Sequence, residues 1–149
     1  MSSITQARAL PSGMPAPAVE PLTEPYWEGT RGGKLRVQRC RGCGKYQWGP
    51  EWICHRCLSF DLAWEEVAPH GKIWSWERPY HPVTPALQGH GPYIIVLVEL
   101  PHADNLRMVG NLLGDPMQEV QIGAAVEAVF EPHDESDPPY TLVQWRVSN

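Results

Sequence analysis

The stretch Cys40-Arg41-Gly42-Cys43, followed after ten intervening residues by Cys54-His55-Arg56-Cys57, decides how this chain reads. A C-x2-C spacing turns two thiolates toward one point. A second such pair completes a tetrahedron of sulfur around one zinc ion. These four are the only cysteines in 149 residues. The expected ligand set is therefore Cys40, Cys43, Cys54 and Cys57, holding one structural Zn2+ per chain. Four thiolates fill the coordination shell, whereas a catalytic zinc keeps a position open. His55 lies inside a knuckle whose ends already suffice, so it is expected to be an exposed loop residue.

Leu35 to Gln38 can form a strand entering the first knuckle. Gly42 and Gly44 are expected to take positive φ and bring backbone amides toward sulfur. Tyr46 to Trp48 returns as a second strand and Pro50 breaks it. The short span from Cys43 to Cys54 suits one hairpin, so the module is a zinc ribbon and not a finger with a recognition helix. Upstream, residues 1–21 are rich in Pro, Ala and Ser and read as a disordered or draped arm. Residues 22–34 read as a short helical segment. Thr23 is its N-cap, Pro25 lies in the first turn, Tyr26 and Trp27 dock it, and Gly29 or Gly32-Gly33 ends it.

With the ribbon over 35–66, residues 67–149 read as a barrel. Lys72 to Tyr80 alternates, with Trp74, Trp76, Arg78 and Tyr80 on one parity. Tyr93 to Leu100 is apolar on both faces and should be central. Leu106 to Leu112, Ala125 to Glu131 and Tyr140 to Val147 complete five short strands. The fold class is mainly β: an N-terminal helical arm, a zinc ribbon and a five-stranded Greek-key barrel of the OB type. The helix often found between the third and fourth strands of such barrels should be short or missing. Two loops stand out, His81 to Pro92 and the acidic Pro132 to Pro139, since long barrel-end loops often carry binding.

Sixteen prolines and a charged content of 19% fit strands and loops better than long helices. Net charge is −5, which counts against a chain that lives by gripping phosphates. Yet seven of the 12 Lys and Arg lie in or near the cysteine region: Arg31, Lys34, Arg36, Arg39, Arg41, Lys45 and Arg56. No secretory signal or membrane span is visible, so the expected location is cytoplasmic, where paired cysteines favour metal over disulfides. No H-E-x-x-H helix, G-x-S-x-G elbow or P-loop is present.

A series of motifs resembles the DUF35 family, acyl-CoA-associated OB-fold proteins with a rubredoxin-like zinc ribbon. It runs from Pro25-Tyr26-Trp27-Glu28-Gly29 through Gly33-Lys34-Leu35-Arg36-Val37-Gln38-Arg39-Cys40-Arg41-Gly42-Cys43-Gly44. It continues with Pro50, Cys54, Cys57, Ser59 and Gly71-Lys72-Ile73-Trp74-Ser75-Trp76. Pro92-Tyr93, Val98-Glu99-Leu100 and Ile122-Gly123 before Val126 to Phe130 complete it. The resemblance implies a non-catalytic partner of a thiolase-fold aldolase or thiolase, or of a hydratase, in a two-plus-two heterotetramer. It implies a CoA thioester as substrate of the complex, in retro-aldol degradation of a steroid or similar side chain. The enzyme subunit would carry the chemistry while this chain holds the complex and shapes the CoA channel.

Beside that implication, several residues read two ways. Arg36, Arg39, Arg41 and Lys45 could meet CoA phosphates or form a solvated surface. Trp74, Trp76, Arg78 and Tyr80 could stack on a base or adenine, but core or interface is the favoured use. A nucleic-acid module is one alternative for the whole chain, since ribbons and OB barrels both serve that purpose. The other is a stand-alone enzyme using the loop histidines His81, His90 and His102.

Overall fold

The computed structural model describes residues 8–149, so the first seven residues of the expected arm lie outside the described residues. The helix α1 spans Glu24–Arg31 with Pro25 in its first turn. Thr23 occupies the N-cap position, but its side chain makes no capping hydrogen bond. Backbone N–H groups of Thr23 and Glu24 instead donate to the Glu20 carbonyl at 3.2 and 3.1 Å. Of the two stops considered, Gly32-Gly33 is the one used. Gly29 is buried within the helix, where an added Cβ would lie 3.0 Å from the Lys34 carbonyl and the Arg36 stem.

The ribbon is a three-stranded antiparallel sheet in the order β2-β1-β3, with β1 at Leu35–Cys40, β2 at Tyr46–Gln47 and β3 at Leu62–Val67. Sequence reasoning missed β3. Its Glu65-Glu66 pair has low strand propensity, yet it pairs along all of β1, from Leu35↔Val67 to Cys40↔Leu62. The Gly42 expectation also needs correction. Gly44 has φ +76 but Gly42 does not take positive φ. Gly42 provides room: a Cβ there would meet Ser59 at 3.3 Å and the Cys40 sulfur at 3.4 Å.

The second sheet contains the five expected strands: β4 (His70–Glu77), β5 (Ile95–Leu100), β6 (Leu106–Asn111), β7 (Ala125–His133) and β8 (Tyr140–Val147). Their order is β6-β5-β4-β7-β8, which puts β4 in the middle and β5 one place from it. The sheet curls until its ends almost meet. A parallel bridge joins Leu112 to Trp145, and the Leu113 N–H donates to the Trp145 carbonyl at 2.7 Å. This gives the nearly closed OB-type barrel expected. Trp145 is fully buried at the seam. Gly110 on β6 lets it lie there, because a Cβ at that position would sit 2.7 Å from the indole Cδ1.

Ribbon and barrel share one hydrophobic core. Leu35, Val37 and Val67 of the ribbon belong to the same cluster as Ile73, Val96, Val98, Leu100, Met108, Val126 and Trp145. The two sheets are also latched by polar contacts. The Asp104 carboxylate accepts from the Tyr46 N–H at 2.9 Å, and the His102 ring bonds the Ala68 carbonyl at 2.9 Å. The knuckles are therefore carried on a base packed into the barrel.

Candidate metal centre and its surroundings

The four cysteine sulfurs lie within 4.8 Å of one another. Cys40 to Cys57 is 3.6 Å and Cys43 to Cys54 is 3.7 Å. Four sulfurs at about 2.3 Å from a tetrahedral zinc would be about 3.8 Å apart along each edge. The residues present thus fit a metal of that size with little movement. The two knuckles are built alike. Gly44 N–H donates to the Cys40 carbonyl at 2.8 Å, and Leu58 N–H donates to the Cys54 carbonyl at 3.1 Å.

Backbone amides aim at the sulfurs. Cys43 N–H donates to Cys40 Sγ at 3.4 Å, and Arg56 and Cys57 N–H donate to Cys54 Sγ at 3.4 and 3.5 Å. The Cys57 and Arg56 amides hold the Cys54 thiol pKa down at about 6, and the Cys43 amide chiefly lowers that of Cys40. At Cys57 the Ser59 amide favours the thiolate. Hydrogen bonding to Cys40, desolvation and the remaining sulfurs outweigh it and push the thiol up to about 11. Cys54 and Cys57 thus do not ionise alike; a divalent cation would take all four cysteines as thiolates.

The basic residues around the knuckles are largely paired. Arg39 donates to the Gly44 carbonyl at 2.9 Å, lies over the Tyr46 ring and meets Glu65 at 3.3 Å. Arg41 meets Asp61 at 3.2 Å and Lys45 meets Asp104 at 3.9 Å. Arg36 lays its stem against Gly29 and reaches the Pro25 carbonyl at 3.5 Å. The acidic residues Asp61, Glu65 and Asp104 thus draw Arg41, Arg39 and Lys45 of the expected patch into ion pairs.

The aromatic stripe does not survive as one row. A bulge in β4 steps the pairing from Ile73↔Val98 to Ser75↔Leu97, so Trp74 is the extra residue. Trp76 pairs with Val96 and packs against the core. Trp74 stays exposed, with the Arg107 guanidinium 3.8 Å from its ring centre. Arg78 leaves the strand, lies over Trp76 and donates to the Pro116 carbonyl at 2.8 Å. Tyr80 is exposed beyond the strand end.

His81 and His90 lie in the loop before β5, while His102 follows β5. The His102 ring lies against that of His70, with ring centres 4.8 Å apart. A different polar cluster was missed. Glu131, His133 and Gln144 are all buried on β7 and β8. The Glu131 carboxylate accepts from His133 Nε2 at 2.9 Å, Gln144 Nε2 at 3.1 Å and Leu10 N–H at 3.3 Å, and also from Ala9 N–H. Arg8 donates to His133 Nδ1 at 2.6 Å, which assigns the ring proton to Nε2. This cluster clasps the arm to the barrel. Its sequence signal is Glu131 and His133 continuing the inward parity of Val129.

A family model for the ChsH2 rubredoxin-like zinc ribbon domain matches residues 27–63, and one for the ChsH2 C-terminal OB-fold domain matches residues 64–131. A solved structure described as an Ltp2-ChsH2(DUF35) aldolase contains a chain 32% identical to this one. The match covers 89% of this chain and 98% of that chain, with TM-score 0.74. The chain belongs to the DUF35 family.

Two curated relatives of this DUF35 chain extend the picture. A probable enoyl-CoA hydratase alpha subunit from Thermomonospora curvata is 33% identical over 89% of this chain. A DUF35 domain-containing scaffold protein from Methanocaldococcus jannaschii is 29% identical over 62% of it. The matched region spans 39% of the length of the first and 64% of the second. A DUF35 structure from Sulfolobus solfataricus, 17% identical with TM-score 0.59, shares the fold over 87% of each chain. Among the described residues, no helix is long and apolar enough to cross a membrane.

Proposed function

We propose that this chain is a zinc-ribbon/OB accessory subunit of a thiolase-fold acyl-CoA enzyme. The observation that carries the reading is the likeness to the DUF35 chain of an Ltp2-ChsH2 aldolase, over 98% of that chain. The site chemistry agrees with it. A four-thiolate shell suits structural zinc and leaves no coordination position for a substrate. Of the histidines outside the ribbon, His133 is consumed in clasping the arm, and His70 and His102 rest ring against ring.

On this reading the zinc fixes the ribbon, the ribbon and barrel dock as one body, and the enzyme subunit performs retro-aldol chemistry on a CoA thioester. A steroid or similar side chain is the acyl group implied by the resemblance. Arg36, Arg39, Arg41 and Lys45, with Trp74, Trp76, Arg78 and Tyr80, remain the proposed residues for contact with CoA or the partner. A two-plus-two assembly is the proposed stoichiometry. The Thermomonospora relative supports a second reading in which the partner is a hydratase subunit.

Affinity capture of the tagged chain from its native lysate, with mass spectrometry and sizing of the eluate, tests both. Stoichiometric recovery of a thiolase-fold protein supports the first reading, and recovery of a hydratase-fold protein supports the second. Recovery of the chain alone or with nucleic acid overturns both.

A further inference from the structure

The clasp between arm and barrel is built around a buried ring that can change its charge. His133 and Glu131 are each 1% exposed. Among the described residues, three charged groups meet the His133 ring. Glu131, on the same strand, accepts from Nε2 at 2.9 Å. Arg8, from the arm, donates to Nδ1 at 2.6 Å. Glu135, from the loop after β7, places Oε1 3.4 Å from Nδ1 and 2.8 Å from the Arg8 guanidinium. From β8, Tyr140 stacks on the ring with centres 4.8 Å apart, and Gln144 donates to the same Glu131 carboxylate. Nδ1 is thus the acceptor that Arg8 uses.

A proton on Nδ1 removes that acceptor. The ring then turns a donor and a positive charge toward the guanidinium, and it competes with Arg8 for Glu135. The other anchors pull the same way. The Ala9 and Leu10 N–H bonds favour the ionised form of Glu131. The Arg8 hydrogen bond is the chief influence holding the Glu135 carboxyl below its ordinary value. Removing residues 8–10 from the barrel therefore eases protonation at all three partners, so linkage makes falling pH favour the open form. Opening also uncovers surface: Arg8 and Ala9 line a cleft of about 170 Å3 with Tyr93, Ile94, Leu112 and Leu113 beside the barrel seam. We infer that residues 8–10 form a proton-released strap, clasped to the barrel at neutral pH and let go when His133 takes a proton on Nδ1. The device lies wholly within this chain and holds whichever enzyme subunit the chain serves.

A solvated imidazole titrates near pH 6.5, so at pH 5.5 a released ring is protonated about ten to one. Opening should gain by about that factor between pH 7.5 and 5.5. The test uses the zinc-loaded full chain, labelled with nitrogen-15, at both pH values and one ionic strength. It reads how strongly the Ala9 and Leu10 amides are protected from solvent exchange, corrected for the intrinsic rate at each pH. Protection should fall about tenfold at pH 5.5, while ladder amides of β1 and β5 keep theirs. His133→Gln supplies an amide that does not titrate in this range and should hold its protection at both pH values. Arg8→Ala changes only the exposed arm; it should weaken protection already at pH 7.5 and cancel the fall. Unchanged wild-type protection at pH 5.5 would overturn the inference. So would a parallel loss at β1 or β5, which marks metal loss or acid unfolding instead of a local opening. A full tenfold response surviving in either variant would remove His133 and Arg8 as the linked pair and overturn it as well.

Discussion

Replacing Cys54 by serine would remove one of four ligands from a shell whose sulfurs are already within 4.8 Å of one another. The effect should spread well beyond the knuckle. Cys54 closes the second knuckle onto β1, and β1 with β3 sends Leu35, Val37 and Val67 into the common core at 0%, 0% and 7% exposure. Each such side chain contributes about 1.5–3 kcal/mol on burial, so the three together bring roughly 5–9 kcal/mol. That approaches the total stability of an ordinary domain, about 5–15 kcal/mol. Loss of metal should therefore loosen ribbon and barrel together, because metal binding and folding are coupled. Metal content by plasma mass spectrometry should fall from one per chain to well below one. The circular-dichroism midpoint should drop by about 10–20 °C as a single transition. A Cys54→Ser chain that stays fully loaded and melts like wild type would refute both the ligand set and the shared-core argument.

Three further outcomes rest on particular contacts. Glu131→Gln puts an amide where a buried carboxylate accepts four hydrogen bonds, and chemical denaturation should register a loss of about 2–3 kcal/mol. Gly110→Ala drives a methyl group to within 2.7 Å of the Trp145 ring and should cost about 1–3 kcal/mol, seen as a shifted urea midpoint with unchanged slope. Burial raises the Tyr26 phenol well above its ordinary value of 10.0, and a hydrogen bond to Glu65 chiefly raises Tyr46. Above about pH 10 the unfolded chain releases these protons while the folded chain keeps them, so stability should fall as pH rises. Tyr26→Phe should flatten that fall in an alkaline titration of the melting temperature.

The ribbon was legible because metal-ligand spacing is a strict geometric demand, and two C-x2-C pairs satisfy it almost uniquely. The barrel was legible because its strands alternate or run apolar between clear breakers. The features that escaped depend on tertiary pairing. Leu62–Val67 carries two adjacent glutamates and becomes a strand only because β1 offers it a full edge. Trp74 and Trp76 share a parity on paper, but a one-residue bulge sends one into solvent and the other onto the core. The basic cluster looked free because its neutralising partners, Asp61, Glu65 and Asp104, come from β3, the turn before it and the barrel. Glu131 and His133 could have been noticed as polar residues on an inward parity. Their partners Arg8, Ala9 and Leu10 lie more than 120 residues away in sequence, beyond the reach of any local pattern.

Central to the proposed function is that the chemistry belongs to another subunit and that this chain completes it. The most direct measurement is CoA-thioester cleavage by the co-purifying thiolase-fold subunit, titrated with the purified zinc-loaded chain. The expected result is no turnover by this chain alone, with activity that rises and saturates at one chain per enzyme subunit. Turnover by this chain alone, or an enzyme subunit indifferent to its presence, would contradict it.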